Sequence, residues 1–357
     1  DGFFCAIKER EILLHHPYVN FNSSVLKMIE MAAKDPKVLA IKQTLYRTSG
    51  DSPIIKALIA AAEAGKQVLA VIEIRARFDE EANLNWAELL ERAGAHVVYG
   101  VIGLKTHAKA SLVVRKEEEG IQFYSHVGTG NYNPKTAKIY EDLGVISSDF
   151  ILGRDLMTLF NQLSGLAPES DYVRLVVAPK ELRTFFIDRI RNEVANLLNG
   201  QKCRIRFKVN ALLDVEIINE LYTAAKAGVP IEILTRGICT FKFSEIAKFK
   251  NVKVISILGR FLEHSRIYNF YDAGKDVYFI GSADIMERNL NRRVEILTEI
   301  TDSDHKSHLN YLIETPLSGK YQHWKMNIND LWDHVKRNQD GELLKDLHQT
   351  YIERFAK

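Results

Sequence analysis

The 357-residue chain has three cysteines, Cys5, Cys203 and Cys239, and they are too far apart to form a CxxC pair. That argues against a zinc ribbon and fits a reducing compartment. No apolar run is long enough to span a bilayer. No basic-then-apolar signal segment is present. Net charge is only +2, so any affinity for anions must come from local clusters rather than a global field. Two phosphate-binding fingerprints are also missing. "GTGNYN" (128–133) starts like GxGxxG but has Asn133 in place of the last glycine. "GNYNPKT" (130–136) has Lys135-Thr136 but Pro134 where a Walker loop needs glycine. A start methionine is absent as well. The opening "DGFFCAIKER" reads like mid-protein sequence, and a fragment lacking its N-terminal part is expected.

What is present is an ordinary globular composition, 46% hydrophobic and 26% charged, in a length that suits two or three domains. Strand and helix signals alternate through the first half. "VLAIKQTLYR" (38–47) and "KQVLAVIEIRARF" (66–78) read as strands. Residues 52–65 read as a helix with Ser52 as N-cap, Pro53 in its first turn and Gly65 at its end. Residues 80–94 read as a second helix, closed by Gly94, followed by strands at 95–101, 108–116 and 120–128. The second half repeats the order. It has a strand at 203–214, a helix at 215–228 and strands at 229–238, 251–258, 265–272 and 276–284. The phrase "AAEAGKQVLAVIEIR" returns as "AAKAGVPIEILTR", a duplication with a period near 160 residues, which means duplicated domains rather than a solenoid. This alternation implies an α/β layered fold. The linker is placed around "SGLAPESDY" (164–172), and the tail from about 305 reads as helical and charged, with Trp324 and Trp332 as packing anchors.

The histidines are duplicated too. His107-Ala-Lys109 is followed, 19 residues after Lys109, by Gly128-Thr129-Gly130-Asn131. In the second half His264-Ser-Arg266 is followed by Gly281-Ser282-Ala283-Asp284. Each half thus offers a histidine, a cation two positions on, and a small-residue turn at the next strand end. Neutral imidazole is a good nucleophile near pH 7. A cation on the same strand face can stabilise phosphate oxygens under attack. Small residues let backbone N–H groups approach an anion. Arg47, Arg77 and Arg236 end strands, where ligands gather in open α/β sheets, and a planar guanidinium suits phosphate chains.

A histidine taken alone is more often a packed or solvated residue than a reactive one. His15, His16, His96, His305, His308, His323, His334 and His348 are read that way, and His126 as lining or orienting the site.

The His-x-Lys and Gly-rich pattern resembles the phospholipase D superfamily. Two positions depart from it: Val114 stands where an Asp is usual, and Arg266 replaces the second lysine. The strings "LYRTSGDSPI", "ARFDEEANLNWA", "GLKTHAK", "GTGNYNPKTAKIYEDLG", "RGIC" and "FLEHSRIYNF" closely resemble one branch, the bacterial polyphosphate kinase family, from the first residues to about 315. The resemblance implies an α/β fold of two similar phospholipase D-like domains, 1–168 and 169–357, each a mixed sheet flanked by helices, with the active site between them and a helical tail on the second. It implies reversible transfer of the ATP γ-phosphate to inorganic polyphosphate through a phosphohistidine. His107 matches the family's phosphorylated residue, with His264 and Lys109 assisting. Tyr140, Arg236 and His264 match its ATP contacts, and Arg47 and Arg77 its magnesium positions. Arg266, Asn131 and Gly130 are candidate phosphate contacts, and Lys42, Lys105, Lys109 and Lys135 candidates for holding the polymer. Mg²⁺ with ATP is the implied cofactor. ATP, ADP and polyphosphate are the implied partners, in a homo-oligomer of the longer protein. No nucleic acid is expected. The implied place is the cytoplasm, with peripheral attachment to the inner membrane left open.

Two other functions fit the same residues. A phospholipase D-type phosphodiesterase would use the same histidine without ATP. A polyanion-binding fragment would bind in a salt-dependent way without turnover.

Overall fold

The structure is a computed structural model that describes residues 2–48, 50–74, 80–101, 103–166 and 171–355. Arg77, expected at a strand end, lies outside the described residues, as does part of the expected linker.

Two sheets carry the fold, and the second repeats the first. In the first, the order is Ile12–His16, Tyr140–Ser147, Gly120–Gly128, Ala110–Glu117, Val38–Leu45, Gln67–Ile72, His96–Val98. The last three strands are mutually parallel and the other neighbours antiparallel. In the second, the order is Leu175–Ala178, Arg293–Ile300, Val277–Gly281, Ile267–Phe270, Ile205–Val209, Ile231–Thr235, Val252–Ser256, with the same parallel trio at one end. The duplication read from two short phrases therefore extends to the order and direction of seven strands in each sheet.

Local chemistry explains the element ends. The Ser52 hydroxyl accepts from Ile55 N at 3.4 Å, and Pro53 opens the helix Pro53–Glu63, where its missing N–H costs nothing. Asp214 caps Val215–Ala227 by accepting from Ile217 N at 3.2 Å. Gly228 closes that helix at φ +107°, a left-handed conformation that a Cβ would strain. Ile54, Ile55 and Leu58 are fully buried, each worth about 1.5–3 kcal/mol of transfer free energy.

Helices cover the outer face of each sheet. Pro53–Glu63 and Lys27–Lys34 pack with Val38, Ile41, Val68 and Tyr124 on the first. Leu182–Leu198 and Val215–Ala227 pack with Ile205, Phe207, Ile231 and Tyr268 on the second. The inner faces share one core. Leu112, Val127 and Val145 of the first sheet join Ile267, Ile280 and Ile296 of the second, with the helix Phe150–Leu163 among them. The expected α/β architecture of two similar units is what the chain adopts.

Two expectations change. The region after 305 is not uniformly helical. It holds the helix Ser303–Leu317, a hairpin of His323–Met326 and Trp332–Val335 that extends the second sheet, and the helix Leu347–Phe355. Trp324 stacks on His334 across the hairpin, with centroids 4.5 Å apart, so cross-strand pairing rather than a helical stripe engages it.

The second change concerns the histidines. Neither His-x-cation segment stays within its own half. Lys105–Thr106 pairs in parallel with Arg293–Ile300 of the second sheet, and Leu262–Glu263 pairs in parallel with Tyr140–Ser147 of the first. Each half lends its histidine segment to the other. These strands are two residues long, too short for any periodic signal in sequence.

Candidate active site

The exchanged strands deliver both histidines to the seam between the sheets. His107 N and Ala108 N both donate to Val294 O, at 3.0 and 2.9 Å. His264 N and Ser265 N both donate to Glu141 O, at 3.0 and 2.9 Å. The same bifurcated anchor thus fixes each histidine backbone to the opposite half. Side chains repeat the pattern. His107 Nδ1 lies 2.9 Å from Glu295 Oε2, and His264 Nδ1 lies 2.8 Å from Asp142 Oδ1. Held this way, each imidazole turns Nε2 away from its carboxylate.

Sequence reasoning missed both carboxylates. A signal existed: Asp142 and Glu295 each follow the first glycine of their turn by 14 positions. The turns explain why. Thr129 Oγ1 donates to Asp142 Oδ1 at 2.6 Å and accepts from Leu143 N at 2.9 Å. Ser282 Oγ accepts from Ile296 N at 3.1 Å, the matching contact in the second half. A Cβ on Gly130 would come 2.4 Å from Asp142 Oδ2, so glycine is required by close approach. Asn289 Nδ2 donates to the other oxygen of Glu295 at 2.6 Å.

The two cations are not equivalent. Arg266 is neutralised: it donates to Asp284 Oδ2 at 2.9 Å, to His264 O at 2.9 Å and, across the seam, to Thr129 O at 3.2 Å. Lys109 is 1% exposed, and its Nζ donates to His107 O at 2.5 Å and sits 5.2 Å from the Tyr46 ring. It has no ion pair among the described residues. Asn131 stands where the second half has Asp284, and its buried Oδ1 has no hydrogen-bond partner among the described residues. The His107 side therefore holds the cation that has no carboxylate partner among the described residues.

Burial, reinforced by the charges of Lys109, Arg293, Arg266 and His264, holds the His107 imidazole well below its usual range and hence neutral at pH 7. Burial also pushes Lys109 well below 10.5. Glu295 is pushed up to about 7 by burial, against the pull of Lys109, Ser282, Arg293 and Arg266. His264 is lowered by burial, which its partner Asp142 opposes.

The other expected residues assemble unevenly. The Tyr140 and His264 rings lie 5.2 Å apart. Arg236 donates through Nε and Nη2 to Asn210 Oδ1, at 2.9 and 2.8 Å, and Asn210 Nδ2 donates to His264 O at 3.0 Å. Tyr140, Arg236 and His264 thus form one group. Arg47 lies two residues beyond its strand, 5.7 Å from the ring of Tyr46, which also lies against His107 with centroids 4.9 Å apart. Lys105 joins Arg288, Arg292 and Arg293 in lining a cavity of about 700 Å³ beside the His107 segment. Lys42 does not line it, because Lys42 Nζ donates to Asn161 on the central helix at 3.1 Å. Lys135 is exposed on its loop and does not line it either. His126 faces Tyr132 Oη at 2.8 Å and packs over Gly128 and Gly144, so it supports the turn. No helix among the described residues is long and apolar enough to cross a membrane.

Residues 2–169 match the model of polyphosphate kinase C-terminal domain 1, and residues 175–345 match that of polyphosphate kinase C-terminal domain 2. A polyphosphate kinase of Streptomyces coelicolor is 49% identical over 350 residues, covering 98% of this chain and 47% of that protein. One from Mycolicibacterium gilvum is 50% identical over 353 residues, covering 99% of this chain and 48% of that protein. The chain spans about half the length of these relatives. The crystal structure of polyphosphate kinase from Porphyromonas gingivalis superposes with a TM-score of 0.88 at 32% identity, over 98% of this chain and 53% of that one. Phosphatidylserine synthase from Haemophilus influenzae shares the fold, with a TM-score of 0.57 at 10% identity over 98% of this chain and 93% of that one.

Proposed function

This chain belongs to the polyphosphate kinase family, and on that premise we propose that it carries the centre that moves the γ-phosphoryl group of ATP reversibly to inorganic polyphosphate. The observation that carries the reading is the charge asymmetry of the seam: Lys109 is buried without an ion pair among the described residues, whereas Arg266 is neutralised by Asp284. A transferring phosphoryl group, with charge on three equatorial oxygens, suits the unneutralised side.

In this reading Glu295 accepts a hydrogen bond from the Nδ1–H of His107, which holds the proton on Nδ1 and leaves the Nε2 lone pair for attack. The N–P bond forms as the bridging P–O bond of ATP breaks, and the electron pair leaves with ADP. Lys109 and Arg47 neutralise the equatorial oxygens. Tyr140, Arg236 and His264 take the nucleotide, and His264, protonated at Nε2 as well once the phosphate charge sits beside it, donates to the departing oxygen. The terminal oxygen of polyphosphate then attacks phosphorus, the N–P bond breaks, and the imidazole is restored. The reverse sequence makes ATP. The cavity lined by Lys105, Arg288, Arg292 and Arg293 is the natural bed for the polymer.

A resident metal does not fit the family's magnesium positions. A guanidinium has no lone pair to donate, and the described residues hold no cluster of three His, Cys, Asp or Glu placed for a metal. Magnesium therefore enters with the nucleotide, as Mg-ATP, and Arg47 and Arg77 hold phosphate oxygens. Self-association belongs to the same proposal.

The test is peptide mapping at alkaline pH after incubation with Mg-ATP or with polyphosphate, for the unsubstituted protein and His107→Ala. An acid-labile phosphate on the His107 peptide, absent from the variant, is expected. Polymer synthesis with His107 never modified would overturn the covalent route.

A further inference from the structure

Behind His264 lies a set of buried charges that His107 lacks. Glu263 and Ser265 flank His264 and turn to the other side of the backbone. There Lys208 Nζ lies 2.6 Å from Glu263 Oε2, 2.6 Å from Glu141 Oε2 and 2.5 Å from Ser265 Oγ. Glu141 Oε1 lies 3.0 Å from His15 Nε2. His348, on the helix Leu347–Phe355, completes the set. Its Nδ1 accepts the Phe261 N–H at 3.1 Å, which leaves the ring proton on Nε2, and Nε2 donates to Glu263 Oε1 at 2.6 Å. His348 is 1% exposed, and a Cβ on Gly259 would lie 2.6 Å from its Nδ1. The helix therefore fits closely onto the loop that leads to His264.

The first half supplies an internal control. By strand register and the shared backbone anchors, Thr44 stands where Lys208 does, Thr106 for Glu263, Val294 for Glu141 and Ala108 for Ser265. The residue before His107 is held by a carboxylate as well, since Thr106 N donates to the buried Glu73 Oε2 at 2.9 Å, but that corner has no counterpart to the Lys208–Glu141–Glu263 cluster. A fold that needed charges to close this corner would carry them in both halves. Burying three ionised groups costs free energy unless they are mutually paired, and only the His264 side bears that cost. The helix carrying His348 likewise has no counterpart in the first half: Phe150–Leu163 follows the last long strand of the first sheet as Ser303–Leu317 follows Arg293–Ile300, and both enter the central core.

We propose that His348 is a positioning residue for His264: by fixing Glu263 it sets the Leu262–Glu263 pairing on Tyr140–Ser147, and with it the placement of His264 against Asp142 and Tyr140. The inference rests on the nucleotide-handling role given above to His264.

The experiment compares His348→Leu and His348→Gln with the unsubstituted protein, reading polymer synthesis from Mg-ATP, thermal stability, and the ¹⁵N resonances of the His264 ring. Glutamine keeps a donor toward Glu263 and leucine does not. His348→Leu is expected to lower kcat by about tenfold to a hundredfold with KM for ATP little changed, and to shift the His264 ring signals. His348→Gln is expected to recover most of both. Should His348→Leu fail to fold, His348→Asn carries the same expectation, since it reaches Phe261 N but not Glu263. A folded leucine or asparagine variant with kcat within twofold and unchanged His264 signals would overturn the proposal, as would equal losses in His348→Gln. If the unsubstituted protein made no polymer while the ring signals still shifted and recovered, positioning would stand and the kinase reading would fall.

Discussion

His264 Nδ1 lies 2.8 Å from Asp142 Oδ1, a carboxylate 122 positions away on the last long strand of the other half's sheet. The same relation, inverted, joins His107 to Glu295, 188 positions apart. Each half contributes the histidine that the other orients. The site is therefore a property of the pair, and neither half could assemble it alone.

Asp142→Asn should test the orienting role at His264. Asp142 accepts from Thr129 and fixes the proton of His264 on Nδ1. An amide that presents its NH₂ to Nδ1 would favour the opposite tautomer. Turnover should fall roughly a hundredfold or more, with the protein still folded. Steady-state kinetics beside circular dichroism decides it, and turnover within threefold of the unsubstituted protein would dismiss the role.

Glu295→Gln should change the pH dependence of stability. A carboxyl raised from 4.5 to about 7 holds its proton longer in the folded state than in the unfolded one. Its contribution is therefore full below about 4.5 and is lost as pH rises toward 7. The variant has no such loss. Urea unfolding at pH 5 and pH 8 should show the variant gaining on the unsubstituted protein by up to about 3 kcal/mol at the higher pH. A constant gap at both pH values would contradict the raised carboxyl.

The two turn glycines should separate stability from activity. A Cβ on Gly281 would sit 2.0 Å from Ile296 O, which is backbone with nowhere to go. Gly281→Ala should cost about 1–3 kcal/mol. At Gly130 the clash falls on the Asp142 side chain, which can move and take His264 with it. Gly130→Ala should lose activity out of proportion to its melting temperature. Parallel melts and assays of the two variants would expose the reverse ranking if it held.

Arg266 and Asp284 should behave as one unit. Arg266→Ala strands a buried carboxylate, and Asp284→Asn strands a buried guanidinium, each at about 3–5 kcal/mol. The double variant should cost clearly less than the two losses added. Chemical denaturation of all four proteins gives the coupling, and simple additivity would mean the pair is not the unit described.

Much of the fold was legible in sequence. The strand at Gly120–Gly128 was read with its observed bounds, and Ser52, Asp214 and Gly228 mark helix ends through interactions spanning only a few residues. The tail was misread because the strands His323–Met326 and Trp332–Val335 are only four residues each, and their pairing with each other and with Val252–Ser256 carries the signal. In the site, His107, Lys109, His264 and Arg266 were legible because the duplication states them twice. Asp142, Glu295, Lys208 and His348 were not, because each acts on a residue far along the chain.

The sequence by itself determined the longer elements up to about residue 300, their repeated order, and the two histidine–cation pairs, since propensity, capping and strand alternation act over a few residues. Tertiary structure alone decided which half holds which histidine, which cation is neutralised, and what stands behind His264. Those outcomes follow from packing the inner faces of two sheets into one core, which brings distant polar groups into a water-poor seam where most are partnered by groups far along the chain.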